Sequence, residues 1–213
     1  MSGLQTKGRL LLLGAGGHGR VVADIAEASG WQDVSFLDDR WPQLAQNLAW
    51  SVIGKVDEGI ESLGGAAAFV TIGDNRSRLR LLRRLMATGA TIPVLVHPSA
   101  VVSRHAVLGA GSVVMPNAVV NAGAVIGDGV IVNTGATIDH DCRLADGVHV
   151  SPGAHLAGGV SVGEASWVGI GAAVRESIRI GAGVMIGAGA AVVSDIPDLQ
   201  IATGVPARGR SRS

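Results

Sequence analysis

The stretch VNTGATIDHDCRLADGVHVSPGAHL, residues 132–156, places an aliphatic side chain at every sixth position: Val132, Ile138, Leu144, Val150 and Leu156. The pattern runs without a slip from Val102, Leu108, Val114, Val120 and Ile126 on one side to Val162, Val168, Val174, Ile180, Ile186 and Val192 on the other, sixteen repeats in all. Two positions before each stands a mostly small residue, among them Ala118, Ala124, Ala136, Cys142, Ala154, Ser166 and Ala172. A period of six matches neither a helix nor an alternating strand. It matches a parallel β-helix, in which each hexapeptide forms one side of a triangular prism and turns its aliphatic residue into a narrow core. Three hexapeptides close a coil of 18 residues. Sixteen repeats then make a little over five coils, a stack roughly 25 Å tall with strands about 4.8 Å apart. With no insertion in the run, the core alone sets the register.

The composition fits this reading. Of 213 residues, 47% are hydrophobic and 32 are glycine, while Phe numbers two and Tyr none, which suits many tight corners and thin layers. Basic and acidic residues balance at 17 each, leaving no electrostatic footprint for nucleic acid or an anionic membrane. Small-molecule or protein partners are expected instead. The single cysteine, Cys142, excludes an intramolecular disulfide and offers no metal-ligand cluster, so no metal is expected. Met1 to Gly8 has no long apolar run with a cleavage site, and Leu10 to Leu13 is only strand length, so a cytoplasmic protein without membrane insertion is expected. The basic end, Arg208 to Ser213, reads as a frayed, solvated terminus.

The first 95 residues follow another pattern. A buried-type strand, Arg9 to Leu13, leads through the glycine turn Gly14-Ala15-Gly16-Gly17-His18-Gly19 into a helical segment from Arg20 to Ala28. A second strand, Val34 to Leu37, ends in Asp38-Asp39, and a third, Ala67 to Ile72, ends in Gly73-Asp74-Asn75 before a helix over Arg76 to Ala87. Thr91 to Val96 offers a further strand. Alternating strands and helices predict a small parallel sheet. The chain therefore divides into a Rossmann-like α/β half domain, residues 1–95, and an all-β parallel β-helix, residues 96–213.

The glycine turn satisfies G-x-G-x-x-G between strand and helix, with Asp38 and Asp39 about 20 residues on, as a dinucleotide site requires. That reading makes the chain an NAD-dependent oxidoreductase. The domain supplies only half of such a fold, which suits a mononucleotide held by the same backbone N–H groups. In the β-helix, His140 lies two residues past inward Ile138, at a corner, and projects outward. Its neighbours one coil away, Ala122 and Gly158, are small and leave room beside the imidazole, and adjacent Asp141 can hold the ring so that one nitrogen accepts a proton. His149 lies half a coil further on, on another part of the prism, so the two histidines serve one site only across a subunit seam. Trp167, one coil past His149, packs either against a cofactor or into an interface. Cys142 occupies a small inward position and reads as core, and His155 as structural. A nucleotide-sugar-binding scaffold without catalysis also accommodates these features.

Taken together, Gly14 to Gly19, Phe36-Leu37-Asp38-Asp39, Ile72-Gly73-Asp74-Asn75, His97-Pro98-Ser99-Ala100, Asn133-Thr134 through His140-Asp141-Cys142, and Gly204-Val205-Pro206-Ala207 resemble the bacterial hexapeptide-repeat sugar acyltransferases over nearly the whole chain. That family includes UDP-4-amino-sugar N-acetyltransferases, perosamine N-acetyltransferases and sialic acid O-acetyltransferases, and the Phe-Leu-Asp-Asp and Ile-Gly-Asp-Asn forms are most similar to the UDP-amino-sugar branch. The resemblance implies a left-handed β-helix, a homotrimer with active sites between subunits, and acetyl-CoA as cosubstrate. It implies that Gly16, Gly17, His18, Asp38, Asp39 and Gly73 bind the nucleotide sugar, and that His140 is the general base with Asp141 raising its basicity. By the same resemblance His149, Ile170 and Ala188 contact acetyl-CoA, with Trp167 beside them. Many members carry glutamate at the position of Asp141, and a CoA-contacting glycine at that of Ala188. The activity implied is N-acetylation of a UDP-linked 4-amino-4,6-dideoxy sugar, with a GDP-amino sugar or O-acetylation of sialic acid as alternatives.

Overall fold

A computed structural model describes residues 7–211, so the expectations for Met1 to Thr6 and for Arg212 and Ser213 lie outside the described residues. The chain divides into two compact units, Met1–His97 and Pro98–Ser213.

The first unit runs β1 (Lys7–Leu13), α1 (Gly17–Ala28), β2 (Trp31–Leu37), a hairpin of β3 (Gln46–Asn47) and β4 (Trp50–Ser51), α2 (Val56–Glu61), β5 (Ala67–Val70), α3 (Asn75–Ala87) and β6 (Leu95–Val96). A parallel sheet of order β2-β1-β5 forms its centre. Leu10 to Leu13, Val34 to Leu37 and Ala67 to Val70 are buried as continuous runs, the signature of parallel strands covered on both faces. Helix α1 buries Val22, Ala23, Ile25 and Ala26. Helix α3 buries Leu79, Leu81, Leu82 and Leu85, and Asp74 caps it by accepting from the Ser77 N–H at 2.8 Å. The first helix begins at Gly17 rather than Arg20, so only Gly14, Ala15 and Gly16 form the turn. Gly19 lies inside the helix, where an added Cβ would stand 2.5 Å from the Gly14 carbonyl oxygen and 3.0 Å from the Phe36 ring. Close packing of helix on strand therefore requires glycine there. The hairpin and α2 carry no period in the sequence, because two-residue strands are too short to alternate. Of Thr91 to Val96 only Leu95 and Val96 form a strand; Thr91 accepts a single backbone bond from Ala68.

The second unit is a β-helix of about six turns. Its two-residue strands stack at 18-residue intervals on three faces. The outward residues are Val101, Val119, Thr137, His155, Ala173 and Ala191 on the first face, and Val107, Val125, Arg143, Ser161 and Arg179 on the second. The third presents Val113, Ile131, His149, Trp167 and Met185. The sixfold aliphatics are all buried from Val114 onward, and Val102 and Leu108, in the first coil, are half-buried. Each buried aliphatic contributes about 1.5–3 kcal/mol. The small inward positions are equally buried; where one is serine, as at Ser112, its hydroxyl donates to the Gly127 carbonyl and accepts from the Val130 N–H, both at 2.8 Å.

The solenoid continues beyond Val192, where the period breaks. Ile196 bridges to Ile180 and Ala202 pairs with Ile186, so the final coil advances 16 residues instead of 18. Asp195 and Asp198 accept the Arg179 and Ala182 N–H groups across the shortened interval. The basic end departs from the expected frayed terminus: Arg208–Ser211 is a strand paired antiparallel with Gln200–Thr203, because the last rung otherwise leaves backbone donors and acceptors unpaired. No helix among the described residues is long and apolar enough to cross a membrane.

Truncating the core tests this frame. Leu156→Ala is expected to destabilise the β-helix by about 2–5 kcal/mol through loss of apolar burial and the residual cavity, read from chemical denaturation.

Candidate active site

Two groups of residues with chemical potential lie in separate units. In the β-helix, the corner Asp139-His140-Asp141 joins the first face to the second. His140 Nδ1 lies 2.9 Å from Asp141 Oδ2, and both side chains are exposed. A carboxylate only accepts, so Nδ1 carries the proton and Nε2 is left as the acceptor. The hydrogen bond that Nδ1 donates to Asp141, followed by the field of Asp139, raises the His140 pKa above the ordinary histidine value.

The 18-residue repeat supports both members of this pair. Against the expectation of open space beside the ring, the imidazole itself fills the room over Gly158: a Cβ there would stand 2.5 Å from both His140 Cε1 and Nε2. Asp141 lies over Gly123 in the same way, its Oδ1 2.6 Å from where a Cβ would be, and adopts a left-handed backbone, φ 58°, which aspartate tolerates better than most residues. Asp139, which sequence reasoning assigned no role, anchors the corner. Its Oδ1 accepts from the His140 N–H at 2.7 Å and from Asn121 Nδ2 at 2.9 Å, one coil away. Counting back 18 residues from Asp139 identifies Asn121.

His149 lies on the third face and is buried, with Trp167 paired to it in the next coil. The two rings stack at 4.2 Å between centroids, tilted by 40°, and Trp167 Nε1 donates to Ser151 Oγ at 2.7 Å. The Thr134 N–H donates to Asn133 Oδ1, so Asn133 Nδ2 faces the ring and donates to His149 Nε2 at 3.0 Å. His149 Nε2 is therefore an acceptor and its proton sits on Nδ1. Ile170 and Ala188 are exposed and stacked one coil apart, linked by the Gly189 N–H to the Ile170 carbonyl. The Cys142 thiol is buried in the core, donates to the Ala157 carbonyl at 3.2 Å, and is pushed up in pKa by its burial. A groove of about 700 Å³ runs along the second face past Arg143, Ser161 and Arg179. Its lining includes neither His140 nor His149.

In the first unit, the residues singled out in the sequence gather at the ends of β1, β2 and β5. Gly16 caps α1 without a side-chain bond, and Gly16, Gly17 and Gly73 have open space where a Cβ would stand. His18 Nε2 is buried with no hydrogen-bond partner among the described residues. Burial, with Arg78 nearby, lowers the His18 pKa to about 4, so the ring is neutral at physiological pH. Arg78 is buried and clasps the next turn, donating to the carbonyls of Ile72 and Gly73 at 3.0 and 2.9 Å and to Asn75 Oδ1 at 2.8 Å. Asp38 is already engaged: Oδ2 accepts from the Ala15 N–H at 2.7 Å and from Arg40 Nη2 at 2.9 Å, and Oδ1 from Arg40 Nε at 2.7 Å. The Arg40 bond, above all, holds the Asp38 pKa at about 2. Asp39 is exposed and accepts from the Val56 N–H at the start of α2. Arg20, Arg40, Asn47 and Arg78 were missed by sequence reasoning. A helix-face count from Asn75 finds Arg78, but no local pattern points to Asn47.

Comparison with known proteins follows this division. Residues 9–85 match the PglD N-terminal domain, and residues 105–140 match the bacterial transferase hexapeptide (six repeats). The acetyltransferase domain of PglB from Neisseria gonorrhoeae FA1090, solved in complex with acetyl coenzyme A, is 45% identical with a TM-score of 0.92, over 97% of this chain and 100% of that one. PerB from Caulobacter crescentus, in complex with CoA and GDP-perosamine, is 41% identical with a TM-score of 0.90, over 95% and 97%. The UDP-N-acetylbacillosamine N-acetyltransferase of Bacillus subtilis (strain 168) is 40% identical over 107 residues, so the match spans about half of that curated relative. With both solved relatives matched along almost their whole length, the chain belongs to the bacterial hexapeptide-repeat sugar acyltransferase family.

Proposed function

We propose that the chain transfers the acetyl group of acetyl-CoA to the 4-amino group of a UDP-linked 4-amino-4,6-dideoxy sugar by direct attack, with His140 as general base. The observation that carries this reading is the Asp141 bond to His140 Nδ1, which leaves Nε2 to accept the amine proton. The amine nitrogen bonds to the thioester carbonyl carbon as its proton passes to Nε2; the tetrahedral intermediate then breaks the C–S bond, and the proton leaves on the CoA sulfur. Main-chain N–H donors hold the oxyanion. No acyl-enzyme forms.

Gly16, Gly17, His18, Asp38, Asp39 and Gly73 serve the nucleotide sugar. His149, Ile170, Ala188 and Trp167 serve acetyl-CoA. The relatives support each half: the PglB domain is bound to acetyl coenzyme A, and PerB to CoA and GDP-perosamine. The curated relative's name favours a UDP-linked acceptor, and PerB keeps a GDP-amino sugar as the second reading. His140 stands on the corner between the first and second faces and His149 on the third, so we assign the complete site to neighbouring subunits of a homotrimer. We place the reaction in the cytoplasm, in glycan biosynthesis.

His140→Ala is expected to lower kcat by about 10² to 10⁴ while acetyl-CoA affinity, measured by calorimetry, stays near wild type. Wild-type turnover in that variant would remove His140 from the mechanism. The pH profile carries a sign. The base acts only when neutral, so activity falls as pH drops through its pKa. Asp141 raises that pKa, and Asp141→Asn should move the acidic limb of kcat/KM to lower pH; an unmoved limb would exclude the pairing. Gly158→Val places carbon where the imidazole now lies. It is expected to cost activity by an amount comparable to loss of the base, with the thermal unfolding temperature as the control for folding.

A further inference from the structure

We propose that Arg20 and Arg40 are binding residues for the diphosphate of the nucleotide sugar, an assignment that rests on the nucleotide-sugar reading above. Both guanidinium groups are fastened to the same point of the glycine turn, the Ala15 carbonyl. Arg40 reaches it directly, its Nη2 donating at 3.1 Å, while Nε and Nη2 form a fork on the Asp38 carboxylate. Arg20 reaches it through Asn47, whose Oδ1 accepts from Arg20 Nε at 2.5 Å and whose Nδ2 donates to the carbonyls of Ala15 and Gly16 at 3.0 and 3.3 Å.

The two anchors use up the inner edge of each guanidinium and leave the outer one. Arg40 Nη1 and both Nη atoms of Arg20 donate to no protein group among the described residues, and both side chains reach solvent. Their charges are treated differently. Asp38 offsets Arg40, whereas Arg20 is held by a neutral amide and forms no ion pair among the described residues. Arg20 thus leaves beside the turn a cation that no ion pair among the described residues offsets, next to N–H donors fixed in place. An arginine held through Nε has already given up much of its rotamer freedom, so an anion binds it at smaller entropic cost. Arg20 supplies charge to the diphosphate, and Arg40 supplies a fixed donor.

This assignment also accounts for Asp38. A carboxylate with both oxygens occupied contributes little to a ligand directly; its part is to hold Arg40 beside the turn.

The test is calorimetric titration of UDP, UMP and GDP into the full-length protein, its Arg20→Met variant and its Arg40→Lys variant, with thermal unfolding followed for each. Arg20→Met changes an exposed side chain, and Arg40→Lys keeps a cation beside Asp38, so both are expected to unfold near the wild-type temperature. UDP affinity should fall on the order of tenfold in each, as the loss of a charge-assisted hydrogen bond implies. The fall should be smaller for UMP, and Arg20→Met should also flatten the dependence of UDP affinity on salt. Wild-type UDP affinity in both variants, or equal losses for UDP and UMP, would overturn the assignment while leaving the nucleotide-sugar reading intact. A wild-type protein that binds neither UDP nor GDP would overturn both.

Discussion

Closure of the coil is the constraint on which the rest of the β-helix depends. Each inward aliphatic stacks on the one 18 residues before it, and backbone hydrogen bonds run from coil to coil at the same interval. A residue therefore has two close neighbours fixed by arithmetic, 18 positions before and after. Glycine at one of them is what lets a bulky side chain lie flat along the prism, as His140 does over Gly158 and Asp141 over Gly123. The same interval stacks Trp167 on His149 and sets Asn121 against Asp139. The chemistry of this unit is written in side chains whose supports are a coil away rather than next in sequence.

The two units treat histidine in opposite ways. His140 is exposed and flanked by carboxylates that favour its charged form, which raises its basicity without burial. His18 is enclosed beside a buried guanidinium and stays neutral to about pH 4. A neutral imidazole suits hydrogen bonding to a bound ligand, and a basic, solvated one suits proton transfer. The carboxylates divide similarly: Asp141 acts on the imidazole, while Asp38 is consumed by Arg40 and the Ala15 N–H.

Most of the β-helix was legible because its period is enforced by a core only a few atoms wide. The count stopped at Val192, where two residues are lost from the last coil, since the pairing of Ile196 and Ala202 depends on contacts that no sixfold pattern signals. The basic end was misread for the same reason: Arg208 to Ser211 has the composition of a solvated tail, yet completes an open sheet edge. His140, Asp141 and His149 stood out because ionisable side chains are sparse against a background of Val, Ala and Gly, and the glycine turn because its G-x-G-x-x-G spacing falls between a strand and a helix. Asp139, Asn47 and Arg78 did not, since each acts through a hydrogen bond whose geometry only the fold sets.

The central claim is that this chain is an acetyl-CoA-dependent N-acetyltransferase of a UDP-linked amino sugar. It is tested most directly by following thiol release from acetyl-CoA with UDP-4-amino-4,6-dideoxy, GDP-4-amino-4,6-dideoxy and sialic acid acceptors side by side. The account predicts acceptor-dependent release fastest with the UDP-linked amine, with the acetyl group recovered on nitrogen. Release with sialic acid alone, or none with any acceptor, would contradict it.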